Sequence, residues 1–327
     1  GGSKRIRRPN EKRGCTQLDR SELQCSAPMS TASASDPVYN LKTIRGINQN
    51  PTFDAEKFES IIDNFERKDG DVFIATYVKA GTTWVQTMVH GLLRSGEPGG
   101  FYAESVPWLE ALSSDILSSR EAPTWDLQKF GAAAAPRYFK THATVRQLPG
   151  AGAKEAASAK IKVIYVARNP KDTCVSLYHH AKSKPEFGFN GDFAAFYKIF
   201  VEGGAENGCW FAHVLEWHSV CQAEPESHIF LQYEAMYKQP VEAIRLIANF
   251  LGLATQDAVV LKVAEQSGLE QMKQGSIGFN HIRKGQHTSA VTHLRMLPFK
   301  DPGTNQTHML FFPQVVQGGG ESTSPSL

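Results

Sequence analysis

The 327-residue chain has no long hydrophobic run, only five cysteines and almost no net charge. No apolar stretch approaches the roughly 18 residues of a membrane-spanning helix. A formal net charge of +2 is too small to favour nucleic-acid binding through bulk electrostatics. The cysteines form no C-x-x-C pair and no regular framework, so we interpret them as reduced thiols of a cytoplasmic protein. Hydrophobic residues, at 41%, are numerous enough for a large core.

Both ends of the chain lack the periodicity of regular structure. Residues 1–45 are polar and basic and predict a disordered tail. No apolar segment follows the basic stretch Lys4–Arg13, so we do not interpret it as a secretory signal. The start, Gly1-Gly2-Ser3, is typical of a fragment, which leaves open whether a targeting segment precedes it. At the other end, residues 301–327 predict an irregular tail.

Between these tails, residues 46–300 alternate between short apolar strands and amphipathic helices, which predicts a single α/β domain. We predict strands at Val72–Tyr77, Tyr138–Thr141, Ile161–Ala167 and Ile229–Tyr233. We predict helices after Asp54, from Thr82, after Pro170, and at 153–160, Phe193–Val201, Trp210–Cys221 and Val241–Leu251. The mostly apolar character of the strands indicates a central parallel sheet with helices on both faces.

The first candidate binding segment is Thr76-Tyr77-Val78-Lys79-Ala80-Gly81-Thr82-Thr83-Trp84, where a predicted strand leads into a helix. The first N–H groups of a helix have no intrahelical partners and bind anions together with the helix dipole. Gly81 permits close approach of a ligand, and Lys79 brings a positive charge. The lysine precedes the glycine, unlike a Walker A loop, so we predict a phosphate-bearing ligand without Mg²⁺-dependent ATP chemistry. A structural turn with an exposed lysine is the alternative.

The second candidate segment runs from Arg168 to Ser176 and follows the next predicted strand along the chain. Arg168 leaves that strand and can bind a phosphate with two parallel hydrogen bonds. Ser176 lies about two turns into the helix that begins after Pro170. Two anion sites at the ends of neighbouring strands predict one ligand with phosphates at both ends. A surface ion pair between Arg168 and Asp172 is the competing interpretation.

Together with Phe139-Lys140-Thr141-His142, these two segments resemble the motifs of the cytosolic sulfotransferases. The resemblance extends from about Pro51 to Gly285. Its further matches are Val106-Pro107-Trp108-Leu109-Glu110, Gln232-Tyr233-Glu234 and Arg283-Lys284-Gly285. It implies a cytoplasmic enzyme with a P-loop-like phosphosulfate-binding loop, which uses 3′-phosphoadenosine 5′-phosphosulfate and releases 3′,5′-adenosine bisphosphate.

The resemblance also implies a role for each matched residue. The residues that would hold the phosphosulfate are Lys79, Ala80, Gly81, Thr82 and Thr83. Those that would contact the adenine are Trp84, Tyr233, Ser267 and Leu269. Those that would bind the 3′-phosphate are Arg168, Ser176, Arg283, Lys284 and Gly285. Trp84 also falls on the apolar stripe of its helix, so core packing is the alternative role for its side chain.

The sequence departs from the family pattern at three places. Val78 replaces the usual loop proline, which removes a constraint on φ. Leu269 replaces a phenylalanine, which would weaken stacking on the adenine. Residues 286–290 do not follow the family's G-D-W-K-N-x-F-T continuation, and no dimer-forming motif is recognisable nearby. The resemblance therefore predicts neither a homodimer nor the shape of the segment that closes over the nucleotide.

The chemistry implied by the resemblance is in-line transfer of a sulfuryl group to a hydroxyl or amine of a small acceptor. His142 is the candidate base, because imidazole titrates near neutral pH. Lys79 would stabilise the leaving group, and Lys140 would stabilise the sulfuryl group. The expected acceptor wall comprises Phe101, Tyr102, Trp108 and Phe139, and the expected lid comprises Phe187, Phe189 and Phe193. Such a pocket favours compact apolar phenols, alcohols or amines.

Three other functions remain open at this point. A P-loop kinase would need a Gly-Lys-Ser/Thr run and a carboxylate for magnesium, and the order of residues around Lys79 speaks against it. A non-catalytic nucleotide-binding homologue of the sulfotransferases is the second, although Lys79, Lys140 and His142 are all present. A glycan-modifying sulfotransferase of the secretory route is the third. His179 and His180 have no partners at metal-ligand spacing, so we predict no metal.

Overall fold

The computed structural model describes residues 37–97, 106–115, 136–152 and 159–274, and the backbone of two further strands at 291–300 and 307–315. The side chain of Leu269 is outside this description. Several expectations also fall outside it, namely those for Phe101, Tyr102, Arg283, Lys284 and Gly285. The same holds for the helix predicted at 153–160, apart from residues 159 and 160, which are not helical.

The regular elements alternate along the chain as the sequence predicts. The strands are β1 Lys42–Ile44, β2 Ile47–Gln49, β3 Val72–Thr76, β4 Tyr138–Thr141, β5 Lys162–Ala167, β6 His228–Gln232, β7 Val291–Lys300 and β8 Thr307–Val315. The α-helices are α1 Ala55–Asn64, α2 Thr82–Leu93, α3 Pro170–Ser183, α4 Phe193–Val201, α5 Trp210–Ala223, α6 Tyr233–Lys238, α7 Pro240–Phe250, α8 Asp257–Gln266 and α9 Leu269–Gln274. Short 3₁₀ turns lie at Leu109–Ser113, Val145–Gln147 and Pro185–Phe187.

A four-stranded parallel sheet in the order β4-β3-β5-β6 forms the centre of the molecule. This confirms the α/β fold with a central parallel sheet. Successive side chains of a strand point to opposite faces of the sheet. Val72 and Ile74 accordingly pack against helices α2, α7 and α8, whereas Phe73 and Ala75 pack against α1 and α5. Both faces are therefore covered by helices, and the carboxyl ends of β3, β4 and β5 lie side by side.

Local signals explain where the helices begin and end. Asp54 caps α1 by accepting a hydrogen bond from Lys57 N at 2.8 Å. Asn169 caps α3 in the same way, and Pro170 occupies the first helical position, where its missing N–H costs nothing. Gly252 follows α7 with a left-handed φ of 70° and ends it. These are the positions at which the sequence predicts helix boundaries.

The N-terminal boundary of the domain differs from the prediction. β1 lies inside the stretch 1–45 that we expected to be disordered, and it pairs with β2 in an antiparallel hairpin. Arg45 and Gly46 form the turn, with φ values of 49° and 77°. This combination of two left-handed residues suits the twist of a two-residue hairpin. Strands of three residues are too short to produce a recognisable alternation, so local pattern carries no signal for them.

The irregular tail predicted for residues 301–327 is also wrong, because β8 lies within it. β7 and β8 pair antiparallel, from Val291 opposite Val315 to Lys300 opposite Thr307. Asp301-Pro302-Gly303, a sequence typical of turns, stands between the two strands. Pro298 and Pro313 interrupt the apolar runs and obscured their strand character.

Among the residues that the structure describes, no helix is both long enough and apolar enough to span a bilayer.

Candidate active site

The loop between β3 and α2 has a defined and uncommon backbone shape. Lys79 and Gly81 both have left-handed φ values, 67° and 97°. Such a conformation is rare for a lysine and persists only where neighbours impose it. Here the guanidinium of Arg168 donates to the Lys79 carbonyl at 3.1 Å, and Ala80 N donates to the Tyr77 carbonyl at 3.1 Å. The loop therefore presents the first turn of α2 at the carboxyl edge of the sheet.

Gly81 is the residue at which this loop tolerates no side chain. A β-carbon there would lie 2.6 Å from Cδ2 of Tyr233 and 2.7 Å from its Cε2. The Gly81 carbonyl accepts the first hydrogen bonds of α2, from Trp84 N at 3.0 Å and Val85 N at 3.3 Å. The N–H groups of Thr82 and Thr83 thus precede the intrahelical ladder and can serve an anion.

We expect Gly81→Ala to destabilise the protein more than Gly252→Ala does. Gly252 has a similar left-handed φ of 70° but open space around its Cα, so it reports the conformational strain alone. That strain costs about 1 kcal/mol at either position. The contact with Tyr233 should add about 1–3 kcal/mol at Gly81, since the ring or the loop must shift. Urea denaturation of both variants measures the difference, and equal losses of unfolding free energy would contradict the close approach.

Four residues expected at the nucleotide come together around the ring of Tyr233. The Arg168 guanidinium lies 4.8 Å from the centre of this ring, and the Trp84 ring meets it edge-on at 5.3 Å. Trp84 Nε1 donates to the carbonyl of Ser267 at 3.0 Å, which ties α2 to the end of α8. The Nε of Arg168 is buried and has no hydrogen-bond partner among the described residues. A buried donor of this kind is an indication of a site that a ligand completes.

The other residues expected at the nucleotide are less closely connected. Ala80 is fully buried and Thr83 is half-buried at the start of α2. Ser176 is half-buried on α3, within two turns of the start of that helix. Leu269 begins α9. Their roles remain those that the family resemblance implies.

His142 follows β4, and its ring is oriented by the end of the neighbouring strand β3. Its Nδ1 lies 3.0 Å from the carbonyl oxygen of Thr76 and 3.3 Å from the Thr76 hydroxyl. A carbonyl oxygen only accepts, so Nδ1 carries the proton and Nε2 keeps the lone pair. Thr76 Oγ1 is also 2.6 Å from Thr82 Oγ1, which links this ring to the phosphate loop.

The surroundings of His142 keep its ring neutral. Burial, and next the charge of Lys140, lower the pKa of His142 well below its ordinary value of 6.5. A neutral imidazole whose Nε2 holds a lone pair can accept a proton at neutral pH. The Trp108 ring stands edge-on to the imidazole at 5.5 Å, and His142 is buried. The arrangement suits a general base.

The backbone of His142 is fixed by three side chains whose role the sequence analysis missed. Glu110 Oε1 accepts from His142 N at 2.8 Å and from Thr141 Oγ1 at 2.6 Å. The His142 carbonyl accepts from Asn207 Nδ2 at 3.2 Å and lies 3.1 Å from His213 Nε2. These partners stand 32 to 71 residues away along the chain. Glu110 ends one of the matched motifs, but no local pattern gives Glu110, Asn207 or His213 this role.

Two lysines give the site its positive charge. The Lys140 ammonium lies 4.0 Å from the centre of the Trp108 ring, on the side of β4 that also faces His142. Burial, followed by the charge of Lys140, lowers the pKa of Lys79 to about 8. The charge of Arg168 acts on Lys79 in the same direction. Lys79 thus lies within electrostatic range of two other cations at this edge of the sheet, which suits a multiply charged anion.

The expected apolar wall and lid are only partly formed as predicted. Phe139 does not face the site, because its ring packs into the core at 5.3 Å from Phe65 and 5.5 Å from Phe73. It alternates with Lys140 along β4, so its side chain points to the opposite face. Phe187 and Phe189 are buried, whereas Phe193 is 41% exposed on α4. Trp108 is thus the described wall residue that contacts the site.

Metal ligands are not grouped in the part of the molecule that the structure describes. No three side chains of His, Cys, Asp or Glu lie close enough there to hold an ion. His180 Nε2 lies 3.8 Å from Glu206 Oε2, but these are two side chains and not a group of three. The prediction of a metal-free site therefore stays a prediction.

Comparison with known proteins gives a consistent result. The family model described as "Sulfotransferase domain" matches residues 69–296. Sulfotransferase 1B1 of dog (Canis lupus familiaris) is 32% identical over 248 residues, which are 74% of this chain and 79% of the relative. Human (Homo sapiens) Sulfotransferase 1C2 is 30% identical over 219 residues, which are 66% of this chain and 70% of the relative.

Solved structures with a similar fold include a sulfotransferase. Mouse sulfotransferase SULT7A1 complexed with PAP is 25% identical and has a TM-score of 0.61, with 75% of this chain and 85% of that chain covered. Retinol dehydratase in a complex with retinol and PAP has a TM-score of 0.59 at 22% identity, with 77% and 84% covered. The second likeness is one of fold alone.

Proposed function

Since this chain belongs to the sulfotransferase family, we propose that it transfers a sulfuryl group from 3′-phosphoadenosine 5′-phosphosulfate to a hydroxyl or amine of a small acceptor. One observation carries the proposal. The neutral ring of His142, the phosphate loop around Lys79 and the guanidinium of Arg168 meet at the same edge of the sheet. A base beside two anion sites is the set of groups that sulfuryl transfer requires.

The residues present fit the nucleotide donor. The loop residues Lys79, Gly81, Thr82 and Thr83 would hold its 5′-phosphosulfate with backbone donors, hydroxyls and one charge. Arg168, whose Nε is buried without a described partner, would hold its 3′-phosphate together with Ser176. Bound there, the donor supplies the activated sulfuryl group. The adenine would lie along Trp84, Tyr233, Ser267 and Leu269, and the residues Arg283, Lys284 and Gly285 would complete the 3′-phosphate site.

His142 would take the proton of the acceptor on its Nε2. Thr76 holds the ring by its other nitrogen, so the lone pair has a fixed direction. Lys140 lies within electrostatic range of His142 and would face the negative charge of the group in transfer. Lys79, which is part of the phosphate loop, would stabilise the leaving phosphate oxygen. The acceptor proton, the sulfuryl group in transfer and the leaving oxygen would thus each meet a separate residue.

The comparisons support this proposal at the level of the family and its nucleotide. The similar mouse sulfotransferase is complexed with PAP, the product that the proposed reaction releases. A cytoplasmic location and a small apolar acceptor rest on the family resemblance alone. A non-catalytic homologue would keep the nucleotide site without turnover, and the intact set of His142, Lys79 and Lys140 favours the enzyme.

We expect the protein to bind 3′,5′-adenosine bisphosphate tightly and ATP with Mg²⁺ at least about 10-fold more weakly, because Arg168 recognises a 3′-phosphate that ATP lacks. Isothermal titration calorimetry measures both affinities. The opposite preference would contradict the assignment of both phosphate sites and favour a kinase. Formation of the bisphosphate from the phosphosulfate in the presence of a panel of phenols then separates the enzyme from a non-catalytic homologue.

A further inference from the structure

The hairpin of β1 and β2 packs against the loop that leads into α5. In this loop, Asn207 N donates to the carbonyl of Asn48 at 2.7 Å, and the Asn48 side chain donates to the carbonyl of Gly204 at 3.0 Å. Both strands precede residue 69, where the match to the family model begins. Neither the family motifs nor the proposed mechanism gives the hairpin a role.

Three buried amide side chains connect this hairpin to the candidate base. Gln147 Nε2 donates to the carbonyl of Ile44 in β1 at 2.9 Å, and Gln49 Nε2 donates to Gln147 Oε1 at 3.2 Å. Asn207 Nδ2 then donates to Gln49 Oε1 and to the His142 carbonyl, at 3.2 Å in each case. An unbroken chain of hydrogen bonds therefore runs from β1 to the backbone of His142.

The direction of every hydrogen bond in this amide chain is determined from its two ends. The carbonyls of Ile44 and His142 only accept, so the amide nitrogens of Gln147 and Asn207 must face them. Gln49 then has a single orientation that serves both neighbours, with its oxygen toward Asn207 and its nitrogen toward Gln147. The amide dipoles thus lie head to tail, an arrangement in which each hydrogen bond strengthens the next.

Asn207 reaches its two acceptors from an uncommon backbone conformation. Its φ of 64° lies in the left-handed region, which asparagine adopts more readily than most residues with a side chain. One hydrogen of its amide is used on Gln49 and the other on His142. Gln49 therefore fixes the rotation of the amide group that holds the His142 carbonyl. Without Gln49, a buried N–H of Asn207 would lose its acceptor.

The position of the His142 backbone decides where its ring points. The ring is oriented by the Thr76 carbonyl, which lies 3.0 Å from Nδ1 and keeps the proton on that nitrogen. Asn207 and His213 are the two side chains that hold the His142 carbonyl. A displacement of this backbone would lengthen the contact with Thr76 and move the lone pair of Nε2 away from the acceptor proton.

We propose that Gln49 is a positioning residue for His142, that it acts through the amide of Asn207, and that the β1–β2 hairpin is thereby part of the active site. This proposal deepens the proposed function and rests on it. Gln49 would set the direction of the His142 lone pair, so it would affect proton transfer and not the affinity for either substrate.

The first test separates turnover from binding. Gln49→Met keeps the length of the side chain and removes its amide, so we expect kcat to fall by about 10-fold while KM for the phosphosulfate and for a phenol changes less than about 3-fold. Thr43→Val is the matched control on the exposed side of the same hairpin. It removes a hydrogen bond of 3.1 Å from Thr43 Oγ1 to Asn48 Oδ1 and should leave kcat within about 2-fold of wild type. An unchanged kcat in Gln49→Met would overturn the proposal.

A double-mutant cycle shows whether Gln49 acts through Asn207. Asn207→Gly keeps the left-handed backbone without strain and removes the amide, so it should lower kcat by about 10-fold or more. In that background, Gln49→Met should lower kcat by less than about 2-fold, because the connection to His142 is already cut. Losses that multiply would show that Gln49 supports the structure independently of Asn207, and they would overturn the proposal.

Heteronuclear NMR of isotopically labelled histidine rings tests the same connection without turnover. We expect His142 of the wild type to be protonated on Nδ1, and the ring signal of Gln49→Met to shift toward a mixture of tautomers. His142→Ala identifies the signal, and an unchanged signal in Gln49→Met contradicts the proposal. Where Gln49→Met does not fold, Asn207→Gly provides both readouts from the other end of the connection. Failure of the proposed function has a different signature, namely no binding of 3′,5′-adenosine bisphosphate to the wild type.

Discussion

His142→Ala is expected to reduce sulfuryl transfer by about 10²–10⁴-fold while leaving the affinity for 3′,5′-adenosine bisphosphate nearly unchanged. The substitution removes the imidazole but keeps the backbone groups through which Glu110 and Asn207 hold this position. Arg168 and Tyr233, which we propose to bind the nucleotide, make no described hydrogen bond to the ring of His142. Turnover is measured with a phenol acceptor, and nucleotide binding is measured by calorimetry on the same sample.

His218→Ala is the matched control for that experiment. His218 is exposed on α5, and its substitution should change neither turnover nor binding. Turnover of His142→Ala within about 3-fold of wild type would contradict the assignment of the base. A simultaneous loss of nucleotide binding would indicate instead that the contact between the imidazole and Thr76 supports the phosphate loop.

The sequence predicted the elements that depend on short contiguous signals. The four central strands were found within one residue at each end, because buried parallel strands are continuous apolar runs. The strand-to-helix loop that we predict to bind phosphate was recognisable because its residues, from Lys79 to Thr83, are adjacent along the chain. The start of α3 was found because Pro170 has a position-specific preference at the first turn of a helix.

What the sequence did not reveal depends on contacts between distant residues. Glu206 and Asn207 stand in a polar, glycine-rich loop that is typical of a solvent-exposed connection, yet both are buried, and Asn207 donates to the His142 carbonyl. Phe139 was expected in the acceptor wall, but its face of β4 is decided by packing against Phe73 on the neighbouring strand. The strands β7 and β8 were missed because prolines interrupt their apolar pattern. Tertiary context overrides local pattern at each of these places.

The second large effect is expected at Arg168, which has two separable roles in the structure. Its guanidinium donates to the Lys79 carbonyl, so it supports the loop that would hold the 5′-phosphosulfate. Its Nε is buried without a partner in the described residues, so it is available to a 3′-phosphate. A substitution at Arg168 can therefore weaken nucleotide binding directly or through the loop. Comparison of two nucleotides separates these routes.

Arg168→Ala is expected to weaken binding of 3′,5′-adenosine bisphosphate by about 10–100-fold, because a charge-assisted, bidentate contact with the 3′-phosphate is lost. Binding of adenosine 5′-phosphate, which lacks that phosphate, should weaken less than about 3-fold. Arg168→Lys keeps the charge without the planar fork, so it should recover only part of the loss. Lys171→Ala, an exposed cation in the first turn of α3, is the control and should leave both affinities unchanged. Equal losses for the two nucleotides in Arg168→Ala would show that Arg168 acts only through the Lys79 carbonyl, and the 3′-phosphate would then need another ligand.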